Sequence, residues 1–135
     1  MTGLDTIVLV RFLAQDDAKQ AALATRLIEK QLNPAEQGFI SLVVVAELCW
    51  VLSSLYCATM DELVATLEDF LNTPQFYMEK REVLQAAIGR FKASSSRKTG
   101  LTNALIAEIA ASAGCTATMT FDKAAVRAAG MTLLV

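Results

Sequence analysis

Short apolar runs alternate along this chain with stretches whose apolar residues recur at helical spacing, and this alternation is what most restricts the fold. Met1 to Asp5 reads as a strand; beyond it Val8, Leu9, Phe12 and Leu13 return every three or four residues, so the strand ends near Asp5 and a helix begins. Asp16-Asp17 places negative charge where the next helix starts, Leu23, Leu27 and Ile28 give that helix an apolar face, and Asn33-Pro34 closes it. Gly38 to Leu42 reads as a buried strand, with Ser41 as N-cap of a helix running to about Tyr56. Thr59-Met-Asp-Glu62 has the form of a capping box ahead of Leu63, Val64, Leu67, Phe70 and Leu71. Thr73-Pro74 breaks that helix and Phe76 to Met78 reads as a short strand. Val83, Leu84, Ala87, Ile88 and Phe91 mark the following helix, and the polar, basic stretch Ala93 to Gly100 reads as a loop or frayed helix end. Leu101 to Ala113 is helical and stops at Gly114. Thr116 to Thr120 and Met131 to Val135 are strands joined by a short helix, Lys123 to Ala129. Strands alternating with helices predict an α/β domain over residues 1–135, with a mostly parallel sheet covered by helices on both faces. Binding sites in such sheets lie beyond the carboxyl ends of the strands.

Apolar residues make up 54% of the chain and charged ones 19%, the balance of a domain with a substantial core rather than of a disordered segment. No apolar run reaches the ~20 residues of a membrane span, and the first residues lack the basic region of a signal peptide, so a cytoplasmic location is expected. Cys49, Cys57 and Cys115 have no CxxC spacing and read as buried free thiols in a reducing compartment. A net charge of −2 excludes a chain that is basic throughout but leaves room for a local basic patch.

The chain has 0 histidines. That removes Ser-His and Cys-His nucleophile pairs, histidine general bases and HExxH zinc sites. Chemistry must then come from carboxylates, Lys, Tyr, Cys or a metal held through oxygen. Asp5 closes the first strand, with core residues expected on both sides of it; the plain alternative is an exposed turn carboxylate. Glu47 is the one charged residue in the apolar run Leu42 to Leu52. Val43 and Val51 lie one turn to either side, so it is expected to project from a buried face, as a metal ligand or in a structural ion pair with Arg11. Asp122 follows the strand ending at Thr120 and precedes a helix, where it serves as a ligand or as a helix cap. Thr120 is a supporting hydroxyl or a strand-end residue. Taken together, the carboxylates sit at or past the carboxyl ends of predicted strands. If they converge, a cation has to offset their repulsion, and oxygen-only ligands favour Mg²⁺ or Mn²⁺ over zinc. Phosphoryl chemistry suits such a site.

Leu4-Asp-Thr-Ile-Val-Leu-Val-Arg11, Ile40-Ser41 with Ala46-Glu-Leu-Cys-Trp50, Asn103-Ala-Leu-Ile-Ala107, and Gly114-Cys115 followed by Thr120-Phe-Asp122 resemble, in order and over nearly the whole chain, the motifs of PIN-domain proteins, and most of all the VapC toxins of toxin–antitoxin modules. The resemblance implies a three-layer α/β/α sandwich with a parallel central sheet. It implies a Mg²⁺- or Mn²⁺-dependent endoribonuclease, a homodimer, and inhibition by a VapB-type antitoxin. It assigns Asp5, Glu47 and Asp122 to the metal and catalytic set, and Asn103 to the fourth catalytic position, with Thr6 and Thr120 as supporting hydroxyls. Arg11, Arg90, Lys92, Arg97 and Lys98 are the candidate contacts to RNA or antitoxin, although cations at a helix end are equally served by solvent and the helix dipole. The chain departs from the family at three places: Asn103 stands where Asp is usual, Ile7 where Asn is common, and Gly100 where another Asp is frequent. These departures leave a second reading, a catalytically weakened protein that binds RNA or antitoxin. An unrelated aspartate phosphatase is disfavoured, because Asp5-Thr-Ile lacks the second acid of a DxD motif.

Overall fold

The computed structural model describes residues 1–94 and 100–135, and shows an α/β fold with parallel sheets. The elements are β1 (Thr2–Gly3), α1 (Thr6–Ala14), α2 (Ala18–Arg26) with a π-helical turn at Leu27–Gln31, β2 (Gly38–Ile40), α3 (Leu42–Leu55), α4 (Met60–Leu71), β3 (Phe76–Met78), α5 (Arg81–Ala93), α6 (Leu101–Ser112), β4 (Met119–Thr120), α7 (Lys123–Ala129) and β5 (Thr132–Leu133). They form two compact units, Met1–Ala58 with Ala65–Glu79, and Thr59–Val64 with Lys80–Val135. No described helix is long and apolar enough to cross a membrane.

In the first unit β1, β2 and β3 pair in that order, all parallel, with Thr2 opposite Gly38 and Gly38 opposite Phe76. Gly38 leaves room for its neighbours at this crossing: a Cβ there would lie 2.7 Å from a methyl of Leu4 and from one of Leu32, so both side chains would have to shift. On β3, Phe76 and Met78 are buried and Tyr77 is exposed, the alternation of a strand with one covered face. Phe76 meets Phe70 of α4 edge to face, with ring centroids 5.1 Å apart. The buried side of α2 and its π turn is Ala21, Ala24 and Ile28, whereas Leu23, expected on that side, is largely exposed. Alanines at this spacing let α2 lie close against α1, and Leu23 then falls beyond the contact.

A larger correction concerns α3. Its buried residues are Leu42, Val45, Leu48, Cys49, Val51 and Leu52; Val43 is 77% exposed, Trp50 63%, and Glu47 lies between them on the exposed side. Glu47 therefore does not project from a buried face, and Trp50, Leu55 and Tyr56 are at the surface as well. Because α3 is apolar nearly all round, its hydropathy does not say which side faces water; contact with the rest of the unit does. The thiols also divide. Cys49 is buried, which pushes its pKa up to about 11, while Cys57 and Cys115 are exposed and contradict the expectation of burial.

In the second unit α5 buries Val83, Leu84, Ala87, Ile88 and Phe91, the same residues its spacing marks. Thr59 and Glu62 form the reciprocal capping box: the Thr59 N–H donates to Glu62 (3.0 Å) and the Glu62 N–H to the Thr59 hydroxyl (3.1 Å). The first of these bonds holds the Glu62 carboxyl below its usual range. Helix α6 ends in a Schellman turn, with the Gly114 N–H on the Ala111 carbonyl and the Cys115 N–H on that of Ala110, both at 3.0 Å, and Gly114 at φ 96°. β4 and β5 pair in parallel on either side of α7 in the chain.

The α3 assignment yields a paired test. Leu48→Ala, at a site 1% exposed, should lower unfolding free energy by about 2–5 kcal/mol. Val43→Ala on the same helix should stay within about 0.5 kcal/mol of the parent, both read from urea unfolding curves.

Candidate functional site

A helix leaves the N–H groups of its first turn without partners, and a short carboxylate just ahead of it is a favoured acceptor. Asp5 fills this role at the β1–α1 junction: its Oδ1 accepts the Thr6 N–H at 2.8 Å, while its own backbone stays extended. Asp122 does the same between β4 and α7, with Oδ1 accepting the Ala124 N–H at 2.8 Å. The Thr120 hydroxyl accepts the Asp122 N–H at 3.0 Å, so Thr120 fixes the loop that carries the acid. Both aspartates are exposed, and Oδ2 of each has no protein partner among the described residues. The cap and ligand readings are thus compatible: one oxygen orients the group and the other is open.

Glu47 is exposed and has neither a hydrogen bond nor an ion pair among the described residues. The ion pair with Arg11 is not formed. Arg11 instead donates from Nε to Gln20 Oε1 at 2.6 Å, with Asp16 Oδ1 3.6 Å from its Nη1. Asp16 also accepts the Tyr56 hydroxyl at 2.8 Å, which raises the phenol above its ordinary pKa. Asn103 is half-buried in the first turn of α6, and its amide has no partner among the described residues.

The first unit holds Asp5 and Glu47; the second holds Asn103 and Asp122. Within neither unit are three or more described Cys, Asp or Glu side chains grouped to hold a metal ion. Each unit does present oxygen donors with no protein partner, and that donor chemistry fits a hard divalent cation. Thr6 adds a further mark. It is the one polar residue buried among the described residues, at 1% exposure, and its Oγ1 has no hydrogen-bond partner. Such a hydroxyl costs about 1–3 kcal/mol.

The basic residues are less free than their sequence suggests. Arg90 donates from Nε to Glu108 (2.9 Å) and from Nη1 to the Ala129 carbonyl (3.0 Å), tying α5 to α6 and to the end of α7. Lys92 is exposed, and Arg97 and Lys98 lie outside the described residues. One carboxylate that sequence reasoning missed is Glu79, just after β3. Its Oε1 accepts the Leu42 N–H at 2.9 Å, a second acceptor for α3 beside Ser41, whose hydroxyl takes the Val44 N–H. The signal available was its place after a strand, as for Asp5.

A family model for the PIN domain matches residues 4–131. The chain belongs to the PIN domain family, a family of nucleases. That single match runs through both compact units. No curated protein matches the chain significantly.

Family membership gives weight to the positions where the chain departs. Gly100 precedes α6 at φ 117°, and a Cβ there would sit 3.0 Å from the Ala128 Cβ of α7. An acid at position 100 therefore has a strained backbone and needs Ala128 to give by a few tenths of an ångström. Asn103, in the first turn of α6, is by contrast where the helix dipole favours negative charge. Gly100→Asp should lower stability by about 1–3 kcal/mol, and Asn103→Asp should leave it unchanged or slightly higher, in thermal melts of the two variants. Thr6→Val, which keeps the shape and deletes the unpaired hydroxyl, should leave the melting temperature unchanged or raise it.

Proposed function

We propose that this PIN-domain chain is a Mg²⁺- or Mn²⁺-dependent endoribonuclease and the toxin of a VapBC-type toxin–antitoxin pair. The observation that carries this reading is the shared build of Asp5 and Asp122. Each is exposed at a strand-to-helix junction, with one oxygen oriented by a backbone N–H and the other unpartnered among the described residues. Asp5 and Glu47 of the first unit and Asp122 of the second are the residues that would hold the ion, and Asn103 of the second unit offers a neutral amide oxygen. A divalent ion bound there supplies charge stabilisation for a phosphodiester and makes water more acidic. Glu47, exposed and unpaired among the described residues, would orient the attacking water and take its proton. Thr120 steadies Asp122 through its backbone N–H.

Partner binding belongs to the same proposal. In the first unit, an apolar groove of about 310 Å³ is lined by Ile7, Val8, Leu23 and Leu27, with Arg11 and Gln20 at its polar edge. It suits an amphipathic segment of a VapB-type antitoxin. The exposed apolar residues of α3 suit a second copy in a homodimer.

Asn103 favours one alternative, a weakened enzyme retained for binding RNA or antitoxin, because the fourth position carries no charge. The two readings differ in what purified protein does to structured RNA. The nuclease cleaves it in millimolar Mg²⁺ or Mn²⁺ and not in EDTA, and Asp5→Asn or Glu47→Gln slows cleavage by about 100-fold or more. Asn103→Asp then tightens metal binding by about 10–100-fold, read as a Mn²⁺-dependent rise in melting temperature. RNA binding without cleavage selects the weakened form. Neither cleavage nor any metal-dependent change in melting overturns the nuclease.

A further inference from the structure

Helix α3 is held at its start from two directions, both within the first unit. Ser41 is its local cap, with the hydroxyl accepting the Val44 N–H at 3.1 Å. Glu79 comes from the sheet. It follows β3, its backbone N–H donates to the Ile40 carbonyl of β2 at 2.9 Å, and its half-buried side chain accepts the Leu42 N–H through Oε1 at 2.9 Å. The two bonds constrain different things. Ser41 is joined to the helix it caps and moves with it, so its bond is the same whichever way α3 is turned about its axis. Glu79 is anchored elsewhere. Successive N–H groups of a helix are about 100° apart around the axis, so a fixed carboxylate that takes the first of them sets the rotation of the whole helix.

The rest of α3 sets that rotation only weakly. Around the axis Trp50 and Val43 lie to one side of Glu47, and Leu48 and Val51 to the other. Turning α3 to cover the first pair, 63% and 77% exposed, would bring the second pair out. Apolar surface is exchanged for apolar surface, so burial separates the two settings by little. The charge of Glu47 keeps it out of the core but does not fix its direction. A long side chain at the margin of a buried face reaches water as readily as one at the centre of the exposed face. The Tyr56 hydroxyl ties the far end of α3 to Asp16 at 2.8 Å, but that bond is exposed and made at the tip of a long side chain.

We propose that Glu79 is a positioning residue: by taking the Leu42 N–H it sets the rotation of α3, and with it the direction in which Glu47 is presented. The consequence for a metal ion rests on the nuclease reading above; the rotation itself does not. With the bond gone, the indole of Trp50, the largest apolar group on the helix, draws its side of α3 inward and carries Glu47 round with it.

Trp50 is the single tryptophan of the chain, so its emission reports the rotation of α3. The full-length protein is diluted until quenching by acrylamide no longer depends on its concentration, so that no second copy shields the ring. Glu79→Ala should then move Trp50 emission to shorter wavelength and lower the quenching slope by about 1.5-fold or more. Glu79→Asp, whose carboxylate is too short to keep the bond, should do the same and is read in its place if the alanine variant does not fold. Glu79→Gln keeps an acceptor oxygen and should match the parent. Ser41→Ala should lower the melting temperature and leave Trp50 unchanged, which separates lost stability from lost rotation. The Mn²⁺-dependent rise in melting temperature should shrink in Glu79→Ala and persist in Glu79→Gln. The inference is overturned if folded Glu79→Ala or Glu79→Asp keeps the parent's Trp50 signal, or if Glu79→Gln loses it. It is also overturned if Glu79→Gln keeps that signal but not the Mn²⁺ response, since Glu79 is then itself a ligand. Failure of both shortened variants to fold overturns it as well, because the role is then structural. A parent with no Mn²⁺ response defeats the nuclease reading instead, and the Trp50 comparison still decides the rotation.

Discussion

The unpaired N–H groups at the start of each helix set the terms for this structure. In a chain that passes repeatedly from parallel strand to helix, every passage leaves such donors at the carboxyl end of a strand. Asp5, Ser41 and Asp122 each supply a side-chain oxygen at a junction, and Glu79 reaches across from β3 to the first N–H of α3. Ser41 and Glu79 serve the same helix, so β3 and α3 are fixed together by one carboxylate. Acidic side chains thus gather at strand ends for a structural reason, before any chemistry is asked of them. A carboxylate has two oxygens, and a cap uses one; the other is the material from which a cation site is made.

The same economy explains why the cap and ligand readings of Asp5 and Asp122 do not compete. Bonding Oδ1 to a backbone N–H removes a rotamer choice from the side chain, so the free Oδ2 is already oriented. Thr120 repeats the principle one step back by holding the Asp122 N–H. Glu47 has no such restraint beyond its helix among the described residues. Thr6 stands apart, since a buried hydroxyl without a partner is a cost that packing alone does not require.

Asn103 and Gly100 show how a departure from a family pattern is embedded in a fold. The glycine is not merely a missing acid: its φ of 117° and its closeness to Ala128 make it part of how α6 and α7 pack. Asn103 carries no such obligation and is open to exchange. Asn103 in place of an acid is therefore a change in charge alone, whereas an acid at position 100 also strains the backbone.

Much of the architecture was legible in the sequence because it rests on local physics. The spacing of Val83, Leu84, Ala87, Ile88 and Phe91 specified the buried face of α5, Thr59 and Glu62 specified the start of α4, and Gly114 specified the end of α6. The strand ends at Asp5 and Asp122 were legible for the same reason, as polar residues between an apolar run and a helical period. Which side of α3 faces water was not, because an almost wholly apolar helix carries no amphipathic signal; Glu47 and Trp50 became surface residues only through what packs against Val45, Leu48 and Leu52. The Arg90 bonds to Glu108 and Ala129 join residues distant in the chain, and no local pattern foretells them. The sequence by itself determined the order of strands and helices, the caps and the acidic residues at the junctions, since these depend on neighbours a few residues away. Tertiary structure alone decided exposure and pairing, since these depend on which surfaces meet.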